Sequence, residues 1–176
     1  MMKILNAEKT YKAHVFDVAK VFCELPDGKQ RYYDLVQHGP GVVIIPVTED
    51  NKILFVKQYR LGAEKELLEL PAGMVNDRED PDPAAERELQ EETGFESLDM
   101  IRLGGFYASA GYCSEYLYIY LARNMKWNPL PQDDDEYLSN ISMTVEEAYE
   151  AVENGTIEDA KTIAALMMAQ KYIRKS

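Results

Sequence analysis

Apolar residues fall first into short runs along the chain and later into helical spacings. The stretch 14–25, rich in Val and Phe, reads as a strand. Pro26-Asp27-Gly28 is a turn signal, and 31–37 reads as the strand that returns from it. Two more strands, 42–47 and 53–59, are joined through Glu49-Asp50-Asn51. The first of them is apolar at consecutive positions, which predicts burial on both faces. A helix is predicted from Asp82-Pro83, with Asp82 as N-cap and Pro83 at the first helical position, to Thr93-Gly94. Strands at 101–107 and 116–122 follow. Thr144 and Glu147 form a capping-box signature, with Val145, Ala148, Tyr149 and Val152 behind them at helical spacing. Asn154-Gly155 ends that helix, and a last one spans 159–172. Strands first, one helix in the middle and two at the end give an α+β class with layered sheet and helices.

Composition sets bounds on this picture. The 176 residues are about one domain's worth, and 46% hydrophobic content supplies a sizeable core. Lys and Arg number 19 against 31 Asp and Glu, a net charge of −12. Such a surface repels phosphate backbones and anionic membranes, so neither a nucleic-acid polymer nor a membrane is the expected partner. A small phosphorylated ligand is compatible only where a local cation offsets the field. Two cysteines, Cys23 and Cys113, cannot build a disulfide framework and fit a reducing compartment, as a structural pair or as buried thiols. The first residues lack the apolar stretch of a signal peptide, and no apolar run approaches a membrane span. A soluble, cytoplasmic protein is expected.

Several eye-catching features carry bland readings. The acidic run Gln132-Asp133-Asp134-Asp135-Glu136 reads as a solvated loop. The stretch 77–82 lacks the Gly and Glu positions of a calcium loop. His14 and His38 are assigned to packing or surface, Trp127 to a cover over the sheet, and Met167-Met168 to core or interface.

The chemistry is concentrated in 73–95, GMVNDREDPDPAAERELQEETGF. Glu88 and Glu92 are four apart and share one helix face; Glu91 stands on its flank. Three crowded carboxylates repel one another unless a cation lies among them. Such an oxygen-rich site suits Mg²⁺ or Mn²⁺. Arg87, four before Glu91, is placed to pair with it. An arbitrary Glu-rich helix would be a solvated face with internal ion pairs.

The spacing argues otherwise. Gly73, Glu79, Arg87, Glu88, Leu89, Glu91, Glu92, Gly94 and Phe95 resemble the signature of the Nudix hydrolases. A chance match at the polar and glycine positions has odds of about 10⁻⁸ per start site. The resemblance implies a Nudix fold: a mixed β-sheet sandwiched between helices, with a loop-helix-loop that binds divalent metal. It implies hydrolysis of a nucleoside diphosphate linked to another group. By the family pattern Glu88, Glu92 and the backbone carbonyl of Ala72 hold the metal and Glu91 assists, with Arg87 placed by its spacing to orient Glu91.

Gln58-Tyr59-Arg60, Glu69-Leu70-Pro71-Ala72-Gly73 and Asp159-Ala160-Lys161-Thr162 are similar to the ADP-ribose pyrophosphatase group. That likeness covers nearly the whole chain and implies an N-terminal β-hairpin extension over 1–40, ahead of a Nudix domain over 41–176. In that group the hairpin contributes to a homodimer and to the nucleotide site. Arg60 is then expected at a phosphate or ribose of the substrate, against a surface arginine as the alternative. Met74 and Tyr33 are expected near the nucleoside, although Tyr33 suits ordinary sheet packing equally. Ser109-Ala110-Gly111 departs from the Ser-Pro-Gly of the group, which weakens ADP-ribose specificity. In the same loop, Glu115 is the candidate general base and a further metal ligand. The expected activity is Mg²⁺-dependent cleavage of ADP-ribose to AMP and ribose 5-phosphate. The rivals are a nucleotide-sugar or dinucleoside polyphosphate hydrolase and a non-catalytic nucleotide-sensing module.

Overall fold

The computed structural model describes residues 1–132 and 137–174, so the acidic run at 133–136 lies outside the described residues. The chain forms two compact units, one of Met1–Pro40 with Phe106–Tyr116, the other of Gly41–Gly105 with Leu117 onward.

The first unit is built on three antiparallel strands, β1 (Lys3–Lys12), β2 (Phe16–Glu24) and β3 (Gln30–His38), in the order β1-β2-β3. The expected hairpin is β2 and β3. β1 adds a third strand that the sequence pattern did not indicate, because all ten of its residues are exposed and no apolar face marks them. Ala19, Val21 and Cys23 alternate along β2 and form a small core with Leu35. Both cysteines are free, Cys23 buried and Cys113 half-buried. His14 is exposed, as expected of a surface residue.

The second unit carries two sheets and all three helices. One sheet has the order β7-β4-β9-β8, from β4 (Gly41–Pro46), β7 (Ala72–Met74), β8 (Phe95–Tyr107) and β9 (Tyr116–Trp127). β4 runs antiparallel to β7 and parallel to β9, so the sheet is mixed. The other is antiparallel, with β5 (Lys52–Arg60) between β10 (Ser139–Thr144) and β6 (Lys65–Glu69). The helices are α1 (Pro81–Thr93), α2 (Val145–Glu153) and α3 (Ala160–Ile173). Both α1 and α3 pack on β4, and Val42, Val43, Ile44 and Ile45 are completely buried. That is the two-sided burial their consecutive apolar pattern predicts. Val42 and Ile44 share one face of β4 and close a core with Ala84, Ala85 and Leu89 of α1.

Helix boundaries correct one expectation. The N-cap of α1 is Asp80, extended and without a side-chain cap bond, and Pro81 takes the first turn. A residue before proline is driven to extended backbone, and the first of the two Asp-Pro pairs already supplies that stop. Asp82 is therefore inside the helix, where its carboxylate accepts from the Tyr120 hydroxyl at 2.6 Å and from Arg102 Nε at 3.0 Å. These two donors hold the Asp82 carboxyl below its ordinary pKa. The capping box at Thr144 and Glu147 is present in full, and Asp159 caps α3. Met167 is exposed, which removes it from the core.

Candidate active site

The site residues of the second unit are arranged by α1 and by the segment that precedes it. Gly94 ends the helix with φ +81°, a left-handed cap that a glycine adopts without strain. A Cβ there would strike the ring of Trp127. Trp127 also sets its edge against Phe95, so it covers the end of α1 and the first residue of β8.

Along α1, Glu88 and Glu92 face inward and are buried, one turn apart. Arg87 lies among the carboxylates. Its Nε and Nη2 donate to the two oxygens of Glu79 at 3.1 Å, and Nη1 donates to Glu88 at 2.7 Å and Glu91 at 2.8 Å. Nη2 also donates to the carbonyl of Met74 at 3.0 Å. Burial works against the guanidinium charge, but Glu79, Glu88 and Glu91 outweigh it and raise the pKa above the ordinary arginine value. Arg87 in turn holds Glu79 below the usual carboxylate range, helped by the amide of Asn76. The expected pairing with Glu91 is present. The pairing with Glu79 makes the arginine a clasp between the loop and the helix.

The loop side is equally fixed. The amide of Ala72 donates to Glu92 Oε2 at 3.0 Å. The carboxyl group of Glu88 lies against Gly73 so closely that a Cβ would sit 2.0 Å from its carbon. The donors gathered here are carboxylate and carbonyl oxygens only, the chemistry of a hard divalent cation. Among the described residues no three His, Cys, Asp or Glu side chains are already grouped to hold a metal ion. Arg87 is the cation that offsets Glu88 and Glu91.

A second charged group adjoins the loop. Arg60 Nε and Nη2 donate to Glu69 at 2.8 and 2.7 Å, a two-point fork on a carboxylate that is 1% exposed. Lys161 also donates to Glu69 and pairs with Asp159 at 3.0 Å. Burial tends to raise the Glu69 pKa, and the two cations more than reverse that. Glu92 and Asp159 lie close enough to add to the rise in the Arg60 pKa that Glu69 begins. Arg60 is thus an anchored arginine at the end of β5, with part of its side chain still exposed.

Tyr33 and Glu115 belong to the first unit. Tyr33 is on β3 opposite Val21 and is partly exposed. The Glu115 carboxylate stands 3.7 Å from Nδ1 of His38, whose own nearer partner is the Gly39 carbonyl at 2.7 Å. His38, assigned to packing or surface from the sequence, is thereby beside the candidate base. Residues 109–112 form a turn in which the Tyr112 amide donates to the Ser109 carbonyl at 3.1 Å, with Ala110 at the second position. Sequence reasoning missed Glu69 and the part played by Lys161, although both stand inside motifs it singled out.

Comparison with known proteins places this arrangement. A model of the NUDIX domain matches residues 37–166. A methanol dehydrogenase activator of Bacillus methanolicus is 35% identical over 170 residues, covering 96% of this chain and 92% of the relative. An ADP-ribose pyrophosphatase of Bacillus subtilis (strain 168) is 33% identical over 170 residues, with the same coverage. The crystal structure of an ADP compounds hydrolase superposes with a TM-score of 0.87 at 25% identity, covering 97% of this chain and 93% of that one.

Proposed function

The chain belongs to the Nudix family, and from that premise we propose that it is a divalent-metal-dependent pyrophosphohydrolase that cleaves ADP-ribose to AMP and ribose 5-phosphate. The observation that carries this reading is the cluster on α1: Arg87 bonded at once to Glu79, Glu88 and Glu91, beside the buried Glu92. A chain of net charge −12 admits a diphosphate only where positive charge is concentrated.

Glu88, Glu92, Glu91 and the Ala72 carbonyl would hold Mg²⁺, with Mn²⁺ as the alternative, and Glu115 would join them. When bound, the metal polarises phosphoryl oxygens and lowers the pKa of a bound water. The chain's own residues do the rest. Arg87 orients Glu91 and Glu88, and the Ala72 amide fixes the rotamer of Glu92. Arg60 offers its planar donor fork to a phosphate or ribose of the substrate. Met74 and Tyr33 flank the nucleoside. Glu115 takes the proton of the attacking water as the new P–O bond forms and the bridging P–O bond breaks. We place the protein in the cytoplasm as a homodimer, with residues 1–40 as the extension that serves both the dimer and the nucleotide site and 41–176 as the Nudix domain.

The test is AMP or phosphate release from ADP-ribose, nucleotide sugars, NADH and dinucleoside polyphosphates, with Mg²⁺ and with EDTA. Release from ADP-ribose that EDTA abolishes is the expected result. Two observations favour other readings. Ala110 in place of proline points to a different nucleoside diphosphate, and preference for one in the panel would establish it. A relative named as an activator points to a nucleotide sensor, which silence across the panel with nucleotide bound would establish.

A further inference from the structure

The four residues 69–72 lead into the metal-binding loop, and each is tied to a neighbouring element of the second unit: Glu69 to β5 and α3, Leu70 to α3, Pro71 to β4 and Ala72 to α1. Glu69 is held by Arg60 and Lys161, and the Leu70 amide donates to Thr162 Oγ1 at 2.9 Å. The Pro71 carbonyl accepts from the Ile44 amide at 2.9 Å, and the Ala72 amide donates to Glu92. Two of these ties come from one motif. Asp159 caps α3 by accepting from the amide and hydroxyl of Thr162, at 2.9 and 2.6 Å, and Lys161 bridges Asp159 to Glu69. Asp159-Ala160-Lys161-Thr162 thus grips the segment from the helix N-terminus, and nothing in the reaction chemistry above uses it.

We propose that Glu69 is a positioning residue for substrate binding: it locks the Arg60 guanidinium in a fixed plane beside the α1 carboxylates, and the Asp159–Thr162 motif holds Glu69 in turn. The inference rests on the reading of Arg60 as a substrate contact. The charges support it. Arg60 and Lys161 against Glu69 and Asp159 sum to zero, so the buried carboxylate is matched without drawing in a further ion. Arg60 uses two of its five N–H donors on Glu69, the one side-chain partner it has among the described residues, and 42% of its side chain is exposed. An arginine with one edge fixed and another open to solvent presents a preoriented fork to an anion. Lys161, shared between two carboxylates and mostly buried, is an anchor and not a second contact.

A merely structural Glu69 would tie the β5 and β6 ends to α3 and affect stability alone, so the test separates KM from kcat and uses a double-mutant cycle. With ADP-ribose and Mg²⁺, Glu69→Gln raises KM about tenfold and leaves kcat within about twofold. In the Arg60→Ala background the same change raises KM no further, because the contact it positions is gone. An unchanged KM, or an equal rise in both backgrounds, overturns the proposal. Should Glu69→Gln fail to fold, Arg60→Lys carries the test, since lysine keeps the charge and loses the two-point fork. A KM close to that of Arg60→Ala supports positioning, and a KM near wild type overturns it. Failure of the wild type to cleave ADP-ribose refutes the functional reading instead; the same cycle is then read as Kd for ADP-ribose by calorimetry.

Discussion

The carboxyl group of Glu88 occupies the space that a side chain on residue 73 would need: its oxygens lie 2.1 and 2.2 Å from the position of a Cβ there. A side chain at residue 73 therefore has to displace the Glu88 carboxyl group. Gly73→Ala forces Glu88 off its rotamer and away from Arg87. Turnover should fall by about a hundredfold or more, with a loss of stability of about 1–3 kcal/mol. Steady-state kinetics and a thermal melt on the same variant check both numbers.

Glu92→Gln keeps an oxygen to accept from the Ala72 amide but removes the charge. Folding should be intact and turnover should fall by orders of magnitude. Near-normal turnover would remove Glu92 from the metal set.

Arg87→Ala leaves Glu79, Glu88 and Glu91 facing one another without their shared cation. The expected cost is about 2–3 kcal/mol, less than for a fully buried pair because part of Arg87 meets solvent. Mg²⁺ should raise the melting temperature of this variant more than that of the wild type. Equal shifts in a thermal titration would mean that the carboxylates do not share a metal.

Glu69 makes stability depend on acid. Its folded pKa lies below the ordinary 4.5, so the unfolded chain takes up the proton first as pH falls. The contribution is complete above 4.5 and is lost as pH drops through the depressed folded value. Urea unfolding from neutral pH down to about pH 3 should show this acid limb, and Glu69→Gln should flatten it while lowering stability at neutral pH.

Ala110 stands at the second position of a turn, where proline is favoured, and among the described residues its amide makes no backbone hydrogen bond. Ala110→Pro should stabilise the protein by about 0.4–1 kcal/mol by restricting the unfolded chain. A substrate panel on the same variant shows whether the stiffer turn moves preference toward ADP-ribose.

The legibility of the sequence followed the range of the interactions. The pairing of Arg87 with Glu91 and the shared face of Glu88 and Glu92 are set by helical spacing, so the motif alone placed them. Glu69 and Lys161 are 92 residues apart and meet only once the fold is complete. Each read from the sequence as part of a resemblance with no partner attached. β1 escaped notice because all its residues are exposed, and β10 because its alternation of Ile141 and Met143 is confined to six residues. The start of α1 slipped by two residues because two Asp-Pro pairs offer the same stop signal, and the earlier one prevails.

The binding of each of residues 69–72 to the elements around it, β5, α3, β4 and α1, also has an entropic meaning. Ordering a residue's backbone costs about 1–2 kcal/mol, and a loop that settled only around its ligand would subtract that cost from affinity. Here the loss is taken at folding, offset by the surrounding core, so the diphosphate meets a surface that has no freedom left to surrender. Affinity then depends on the contacts themselves, and any variant that loosens one of the four ties should weaken binding through entropy while every contact to the substrate remains in place.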